Sequence, residues 1–222
     1  MARRAAAELI GTAFLLAAIV GSGIMAEQLA GGNIAIALLA NTIATGAALV
    51  ALIYTFGPVS GAHLNPAVTL NQAWRGALAW REVPVYAAAQ IAGAFAGVAA
   101  AHTMFGRTLF FISGHARGGG AQMWSEFVAT FGLIAVIHGC AARRAPEAIP
   151  FAVGAYITSA YWFTASTSFA NPAVTVARAV TGTFTGIRPA DVPGFIAAQL
   201  AGAAAATLVL RWLLVERDPA DE

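Results

Sequence analysis

The sequence predicts an all-α membrane protein with six transmembrane helices and two re-entrant half-helices, arranged as an inverted repeat. Three observations support this prediction: the composition, the lengths of the apolar stretches, and an internal repetition. Of the 222 residues, 59% are hydrophobic and only 10% are charged, and the mean hydropathy is +0.73. A soluble domain carries about 25% charged residues, so most of this surface requires a solvent other than water. The single cysteine, Cys140, excludes an internal disulfide framework.

Six stretches have the roughly 20 mostly apolar residues that a bilayer-spanning helix needs. They cover residues 5–26, 33–56, 83–104, 123–142, 148–169 and 192–214. Backbone polar groups must bond internally in lipid, so these stretches are expected to be helices. Small residues at helix-packing spacing, as in Gly93-x-x-x-Gly97, favour close approach of neighbouring helices. The first stretch is too long for a usual signal peptide, and we expect it to be retained.

The placement of arginine predicts the orientation in the membrane. All 12 basic residues are arginine, and the formal net charge is +2. With cytoplasmic termini, eight arginines fall on the cytoplasmic side: Arg3, Arg4, Arg75, Arg81, Arg143, Arg144, Arg211 and Arg217. Four fall on the outer side: Arg107, Arg117, Arg178 and Arg188. The positive-inside rule therefore favours cytoplasmic termini in a plasma or inner membrane. No dense basic run supports nucleic-acid binding.

The two halves of the chain repeat one another. Asn65-Pro66-Ala67-Val68-Thr69 returns unchanged as Asn171-Pro172-Ala173-Val174-Thr175. Residues 7–12 likewise resemble 125–130, and 89–94 resemble 198–203. The offsets of 118, 106 and 109 residues are all near half the chain length, which indicates a duplication. Each repeat, 1–110 and 120–217, holds three spans, so the second enters the membrane from the opposite side.

Each Asn-Pro-Ala motif predicts the start of a short helix. Asparagine is a good N-cap, and proline is favoured at the first helical position. The apolar residues that follow, 67–74 and 173–180, are too few to span a bilayer. By the inversion, the two half-helices enter from opposite faces and meet at their N-termini. Non-helical backbone at that depth is tolerated only inside protein or along a water-filled cavity.

With these motifs, the chain resembles the aquaporin and aquaglyceroporin (major intrinsic protein) family. The resemblance rests on Ser60-Gly61-Ala62-His63 before the first Asn-Pro-Ala and on the second motif in the inverted half, and it covers essentially the whole chain. It implies an aquaporin-like bundle with one pore in each subunit of a homotetramer. It also implies passive transport of water, polyols or other small uncharged solutes.

The meeting point of the half-helices has the electrostatics of a neutral-solute pore. Each helix N-terminus carries about +0.5 charge, and the amides of Asn65 and Asn171 can donate hydrogen bonds to a passing solute. This arrangement repels cations and turns the oxygen of a water molecule toward the donors. A proton wire is thereby interrupted.

Two carboxylates, Glu8 and Glu126, occupy matching places in the repeats. Ionisable groups inside a membrane are expensive and functional by default, so a proton relay is one interpretation. The family resemblance implies the other, in which each carboxylate accepts hydrogen bonds that hold a re-entrant loop. His63 either gates the inner mouth or fixes the geometry of its loop.

The resemblance also implies a selectivity filter near the second motif. Counting back from the two asparagines gives Thr45, Ser159, Ser168 and Val174. Most family members have arginine in place of Val174, and none of the four positions here is aromatic, histidine or arginine. The predicted opening is wide and suits neutral metalloid hydroxides such as arsenous, antimonous or boric acid. A glycerol or urea facilitator and a plain water channel are the alternatives.

Arg178 lies four residues beyond Val174, and residues i and i+4 share a helix face. Its side chain either reaches back toward the outer mouth or points outward and snorkels to the interface. We favour the snorkelling arrangement.

Three other functions compete with a channel. A secondary transporter also uses inverted repeats and broken helices, but the two carboxylates form no obvious relay. An intramembrane enzyme would need a metal cluster or a supported Ser/His pair, and the sequence suggests neither, so we expect no catalytic residue, metal or cofactor. A structural junction protein of the same fold would have a closed pore.

Overall fold

The computed structural model describes residues 1–143 and 145–214. Arg144, Arg217 and the end of the second predicted repeat lie outside these ranges. The described part of the chain folds into eight α-helices. They are α1 (Ala2–Leu29), α2 (Ile34–Ser60), α3 (Pro66–Trp74), α4 (Val83–Met104), α5 (Gly120–Ala142), α6 (Ile149–Phe163), α7 (Pro172–Ala177) and α8 (Val192–Leu213).

Five helices in the described ranges are long and apolar enough to cross a membrane, as predicted for a multi-pass membrane protein. The fifth predicted span, 148–169, was wrong at its end, because α6 stops at Phe163. Thr164 leaves the helix with φ −109° and ψ 137°. Residues 164–169, four of them serine or threonine, belong to the loop that leads to α7. With 15 residues, α6 is about 22 Å long at 1.5 Å per residue.

The helices pack as two equivalent sets. In the first set α1 packs on α4 and α2, and in the second α5 packs on α8 and α6. The short helices α3 and α7 take the corresponding places in the two sets. Three spans separate the start of α1 from the start of α5, so the second set is inverted relative to the first. The predicted all-helical inverted repeat is therefore confirmed.

Glycines bring α4 directly onto the backbone of α1. A Cβ atom at Gly93 would collide with the carbonyl oxygen of Leu9. At Gly97 it would collide with the carbonyl oxygen of Ala13 and lie 2.7 Å from the Cβ of Leu16. The small-residue spacing seen in the sequence thus sets the distance between these two helices.

The bundle has two ends, which we call the terminal face, where α1 begins, and the distal face, where it ends. On the terminal face Arg4 pairs with Glu82 at 3.0 Å. On the distal face Arg188 pairs with Asp191 at 2.8 Å. The half-helices α3 and α7 begin between these faces, so their N-termini lie inside the protein.

Candidate functional site

A cavity of about 450 Å³ runs along the bundle between the two helix sets. Its helical walls are mostly apolar: Leu15, Ile19, Leu49, Leu133, Ile137, Val153 and Ile157. Its polar groups are concentrated on the two re-entrant segments: His63, Asn65, Ser168 and Asn171. A small solute would therefore meet a few hydrogen-bonding positions in an otherwise apolar tube.

The two motif asparagines brace each other's loops. The Oδ1 of Asn65 accepts from the N–H of Ala67 at 2.9 Å, and that of Asn171 accepts from the N–H of Ala173 at 3.0 Å. The Nδ2 of Asn65 donates to the carbonyl of Ala170 at 2.7 Å. The Nδ2 of Asn171 donates to the carbonyl of Leu64 at 2.8 Å. Each amide has two N–H groups, so the second N–H can serve a solute in the cavity.

The carboxylate of Glu8 holds the first re-entrant loop. Its oxygens accept from the backbone N–H groups of His63 at 2.9 Å and Leu64 at 2.7 Å. They also accept from the Ser60 hydroxyl at 2.6 Å and from Nε2 of Gln90 at 2.7 Å. The side chain is fully buried, and its contacts are those of a loop support.

Glu126 repeats this arrangement in the second half. Its oxygens accept from the N–H groups of Phe169 and Ala170, both at 2.8 Å, and from Nε2 of Gln199 at 2.6 Å. Ala170 has a φ of +47°. That left-handed conformation costs a residue with a side chain roughly 1–2 kcal/mol. The carboxylate therefore holds the backbone in a shape it would not adopt by itself.

Three of the four predicted filter residues meet at the cavity. Thr45, Ser168 and Val174 are buried and line it. The Oγ1 of Thr45 accepts from the Tyr161 hydroxyl at 3.3 Å. The Oγ of Ser168 has no hydrogen-bond partner within the described residues.

The structure corrects the position predicted on the fifth span. Ser159 is exposed, and its hydroxyl donates to the carbonyl of Tyr156 at 2.7 Å. The cavity is lined instead by Ile157 and Tyr161, which share a helix face at i and i+4. The predicted pair, Thr45 and Ser159, is 114 residues apart, whereas Thr45 and Ile157 are 112 residues apart, so the count along the chain was wrong by two residues.

Arg178 does not snorkel, contrary to the sequence-based expectation. Its side chain is only 2% exposed. The guanidinium carbon lies 3.4 Å from the ring centroid of Phe169, and Nε donates to the carbonyl of Thr185. The backbone after α7 tightens into a 3-10 turn, Arg178–Val180. The turn and the carbonyl of Thr185 draw the side chain inward, so it lines the end of the cavity.

Arg178 also lines a second cavity, of about 460 Å³, on the distal face. We call this second cavity the vestibule; it is lined by Glu27, Asn41, His115, Arg117 and Thr183 among others. Burial lowers the pKa of Arg117. Burial, followed by repulsion from Arg117 and Arg178, lowers the pKa of His115. With Arg117 and Arg178 against the one carboxylate in its lining, Glu27, the vestibule has a net positive charge.

The sequence-based reasoning missed Arg117 and Phe169. The guanidinium of Arg117 donates to the carbonyls of Gly186 at 2.8 Å and Phe184 at 3.4 Å. Its carbon lies 5.1 Å from the same Phe169 ring that Arg178 covers. Arg117 lies in the segment between α4 and α5, far in sequence from both motifs. No local signal would have identified it.

Three of the four histidines have structural partners. Nδ1 of His63 lies 3.2 Å from the Thr69 hydroxyl, and its ring lines the cavity toward the terminal face. Both ring nitrogens of His102 are hydrogen-bonded, at 2.8 Å each. His138 contacts Asn71 at 3.0 Å. Among the described residues, no three His, Cys, Asp or Glu side chains lie together as a metal site.

The comparisons with known proteins agree with this geometry. The family model described as "Major intrinsic protein" matches residues 1–167 and 146–221. The chain is 55% identical over 220 residues to aquaglyceroporin AqpS of Rhizobium meliloti (strain 1021), covering 99% of this chain and 93% of that one. It is 38% identical over 216 residues to aquaporin NIP1-3 of Oryza sativa subsp. japonica, and the match covers 94% of this chain and 74% of that one. The aquaglyceroporin from Plasmodium falciparum has a similar fold, with a TM-score of 0.76 at 19% identity. The match covers 96% of this chain and 97% of that one.

Proposed function

This chain belongs to the major intrinsic protein family of channels, and we propose that it passes small uncharged solutes wider than water, in particular neutral metalloid hydroxides. The observation that carries the proposal is the residue after the second Asn-Pro-Ala motif. Val174 is buried and lines the cavity, where a short apolar side chain leaves the passage open. The width of the opening is therefore not set by a long charged side chain at this position.

The polar groups beside Val174 suit a solute covered in hydroxyl groups. The hydroxyl of Ser168 is buried beside the cavity and has no partner among the described residues, so a rotation of this side chain would let it donate to or accept from a solute. The Thr45 hydroxyl accepts from Tyr161, which leaves its own proton free to rotate toward a solute. Arsenous, antimonous and boric acids are compact, uncharged near neutral pH, and present hydroxyl groups on every side.

A polyol facilitator is the second candidate. It is favoured by the similarity to proteins called aquaglyceroporins, one of them 55% identical to this chain. Glycerol carries hydroxyl groups along an apolar backbone and also matches a passage with few polar positions. The two candidates differ in solute shape, so permeability ratios measured in the same vesicles separate them.

The proposal extends to the assembly and its orientation. We propose a homotetramer in the plasma or inner membrane, with the terminal face toward the cytoplasm. The support for the orientation is the excess of arginine on that face by the positive-inside rule. The support for the tetramer is family membership alone.

The test narrows the opening at Val174. We expect Val174→Arg to slow arsenous acid and glycerol more than water in stopped-flow swelling of proteoliposomes. A barrier raised by about 1.4 kcal/mol slows passage tenfold, and we expect at least about that effect for the wide solutes. Val174→Leu, larger but uncharged, is the matched control that separates size from charge. Unchanged permeability ratios in a folded Val174→Arg channel would show that Val174 does not limit the opening.

A further inference from the structure

Arg178 is a buried cation without a carboxylate partner. The ion pairs among the described residues are Arg4 with Glu82 and Arg188 with Asp191. Neither involves Arg178, although only 2% of its surface is exposed. Burying a charge away from water is costly unless it is paired. Arginine is almost never fully buried without a partner, so a purely packing role does not account for this side chain.

The contacts of Arg178 leave its terminal amino groups free. Its Nε donates to the carbonyl of Thr185, and its planar face covers the ring of Phe169. Nη1 and Nη2 make no hydrogen bond to any described residue. A guanidinium has five N–H donors, so four are available. Because Arg178 lines both the main cavity and the vestibule, these donors lie where the two spaces adjoin.

Arg117 adds charge at the same place, while four of its five N–H donors are engaged within the protein. Its Nε and Nη2 donate to the carbonyls of Gly186 and Phe184, and its Nη1 lies 3.3 Å from the carbonyl of Ser166. Both guanidinium carbons lie within 5.1 Å of the centroid of the Phe169 ring. The acidic residue that lines the vestibule is Glu27. It forms no ion pair with either arginine in the described structure.

We propose that Arg178 is a displaced selectivity arginine, which repels cations and binds solute oxygen atoms one helical turn beyond Val174. Four residues along a helix correspond to about 6 Å, so the backbone of Arg178 lies on the distal side of Val174, while its guanidinium lies over the ring of Phe169. Val174 then sets the width of the opening, and Arg178 excludes cations. The proposal rests on the channel function proposed above and adds the residue that makes a wide opening compatible with exclusion of ions.

This division of roles has a physical advantage for the channel. An arginine at position 174 itself would narrow the passage while excluding cations. At position 178, the cation acts over a distance through a weakly screened apolar environment. Its stacking on Phe169 holds it to the side of the path. Neutral oxygen-bearing solutes therefore pass the free Nη donors, whereas sodium ions and hydronium meet a positive barrier.

The test measures ion leak and neutral-solute flux on the same vesicles. Proteoliposomes with an entrapped pH-sensitive dye and a valinomycin-imposed potassium potential report proton leak, and stopped-flow swelling reports water and glycerol. We expect Arg178→Ala to raise the proton leak at least about tenfold, which corresponds to removal of about 1.4 kcal/mol of barrier. Neutral-solute flux should stay equal or rise. Arg178→Lys should suppress the leak again, because it restores the charge.

The controls distinguish charge from loop support. Arg107→Ala removes an exposed arginine from the same face and should leave the leak unchanged. Arg178→Gln keeps an amide donor for Thr185 but loses the charge, so it should fold and leak. A folded, conducting Arg178→Ala or Arg178→Gln channel without increased leak would overturn the proposal. Loss of folding in all three Arg178 variants would also overturn it, by assigning the residue to loop support.

The result is independent of the solute assignment. If wild-type vesicles conduct water and glycerol but not arsenous acid, the proposed substrate is wrong and the ion-leak comparison still decides the role of Arg178. If wild-type vesicles conduct no neutral solute, the channel function itself fails. A wild-type channel that already leaks protons freely would overturn the role of Arg178 without any variant.

Discussion

Removal of the Glu126 carboxylate should unfold the second re-entrant loop. Glu126→Ala strands three donors: the N–H groups of Phe169 and Ala170 and the Nε2 of Gln199. A buried donor without a partner costs about 1–3 kcal/mol, so the three together cost on the order of 3–9 kcal/mol. Removing the buried carboxylate also removes its desolvation penalty, which offsets part of this loss. We therefore expect the free energy of unfolding to fall by about 3 kcal/mol, which is still a large part of a total stability of about 5–15 kcal/mol.

The assay for Glu126→Ala is thermal melting of the detergent-solubilised protein, followed by size-exclusion chromatography, together with water flux in vesicles. Glu126→Gln keeps one acceptor oxygen and should fall between wild type and the alanine variant. Glu147→Ala, at an exposed site, should change stability by no more than about 0.5 kcal/mol. If Glu126→Ala melts with wild type and conducts with only an altered pH dependence, the carboxylate is a relay and the loop-support argument is refuted.

Two further predictions concern helix packing and pH. Gly97→Ala should separate α4 from α1 and lower the melting temperature, because the new Cβ would collide with the carbonyl of Ala13. Gly57→Ala, with open space around it, is the control. Equal melting temperatures of the two variants would contradict the packing argument. The lowered pKa of His115 means that the unfolded chain takes up a proton before the folded one as the pH falls through 6.5, so stability should fall with acidification. Because this side chain is mostly exposed, its contribution should be small. It is measured as the difference between wild type and His115→Gln in the change of melting temperature from pH 7.5 to 5.5.

The sequence alone predicted the architecture because membrane insertion leaves few choices. Apolar stretches of sufficient length must be helical in lipid. Asn65 and Asn171 mark the starts of the two half-helices, which are too short to span the bilayer. The end of α6 was mispredicted because residues 164–169 are uncharged and were counted as part of the span. Four of these six residues are serine or threonine, and their backbone forms the loop that Glu126 holds.

The candidate site was predictable where it follows from the motifs and not where it depends on tertiary contacts. Asn171 fixes the places of Ser168 and Val174 by short sequence separation. Position 159 had to be predicted by counting over many residues, and an error of two residues placed the prediction on an exposed side of α6. Arg178 could not be placed because its orientation depends on the carbonyl of Thr185, which a folded-back loop supplies.

The reciprocal bonds of the two asparagines constrain how the protein is made. Asn65 donates to Ala170 and Asn171 donates to Leu64, so each half-helix needs a carbonyl from the other repeat. The asparagines are 106 residues apart. At a synthesis rate of about 5–20 residues per second, the first loop waits about 5–20 s for its partner to leave the ribosome. During biogenesis the first re-entrant loop is therefore inside the membrane before its hydrogen-bond partners exist, and it is completed only when the second half supplies them.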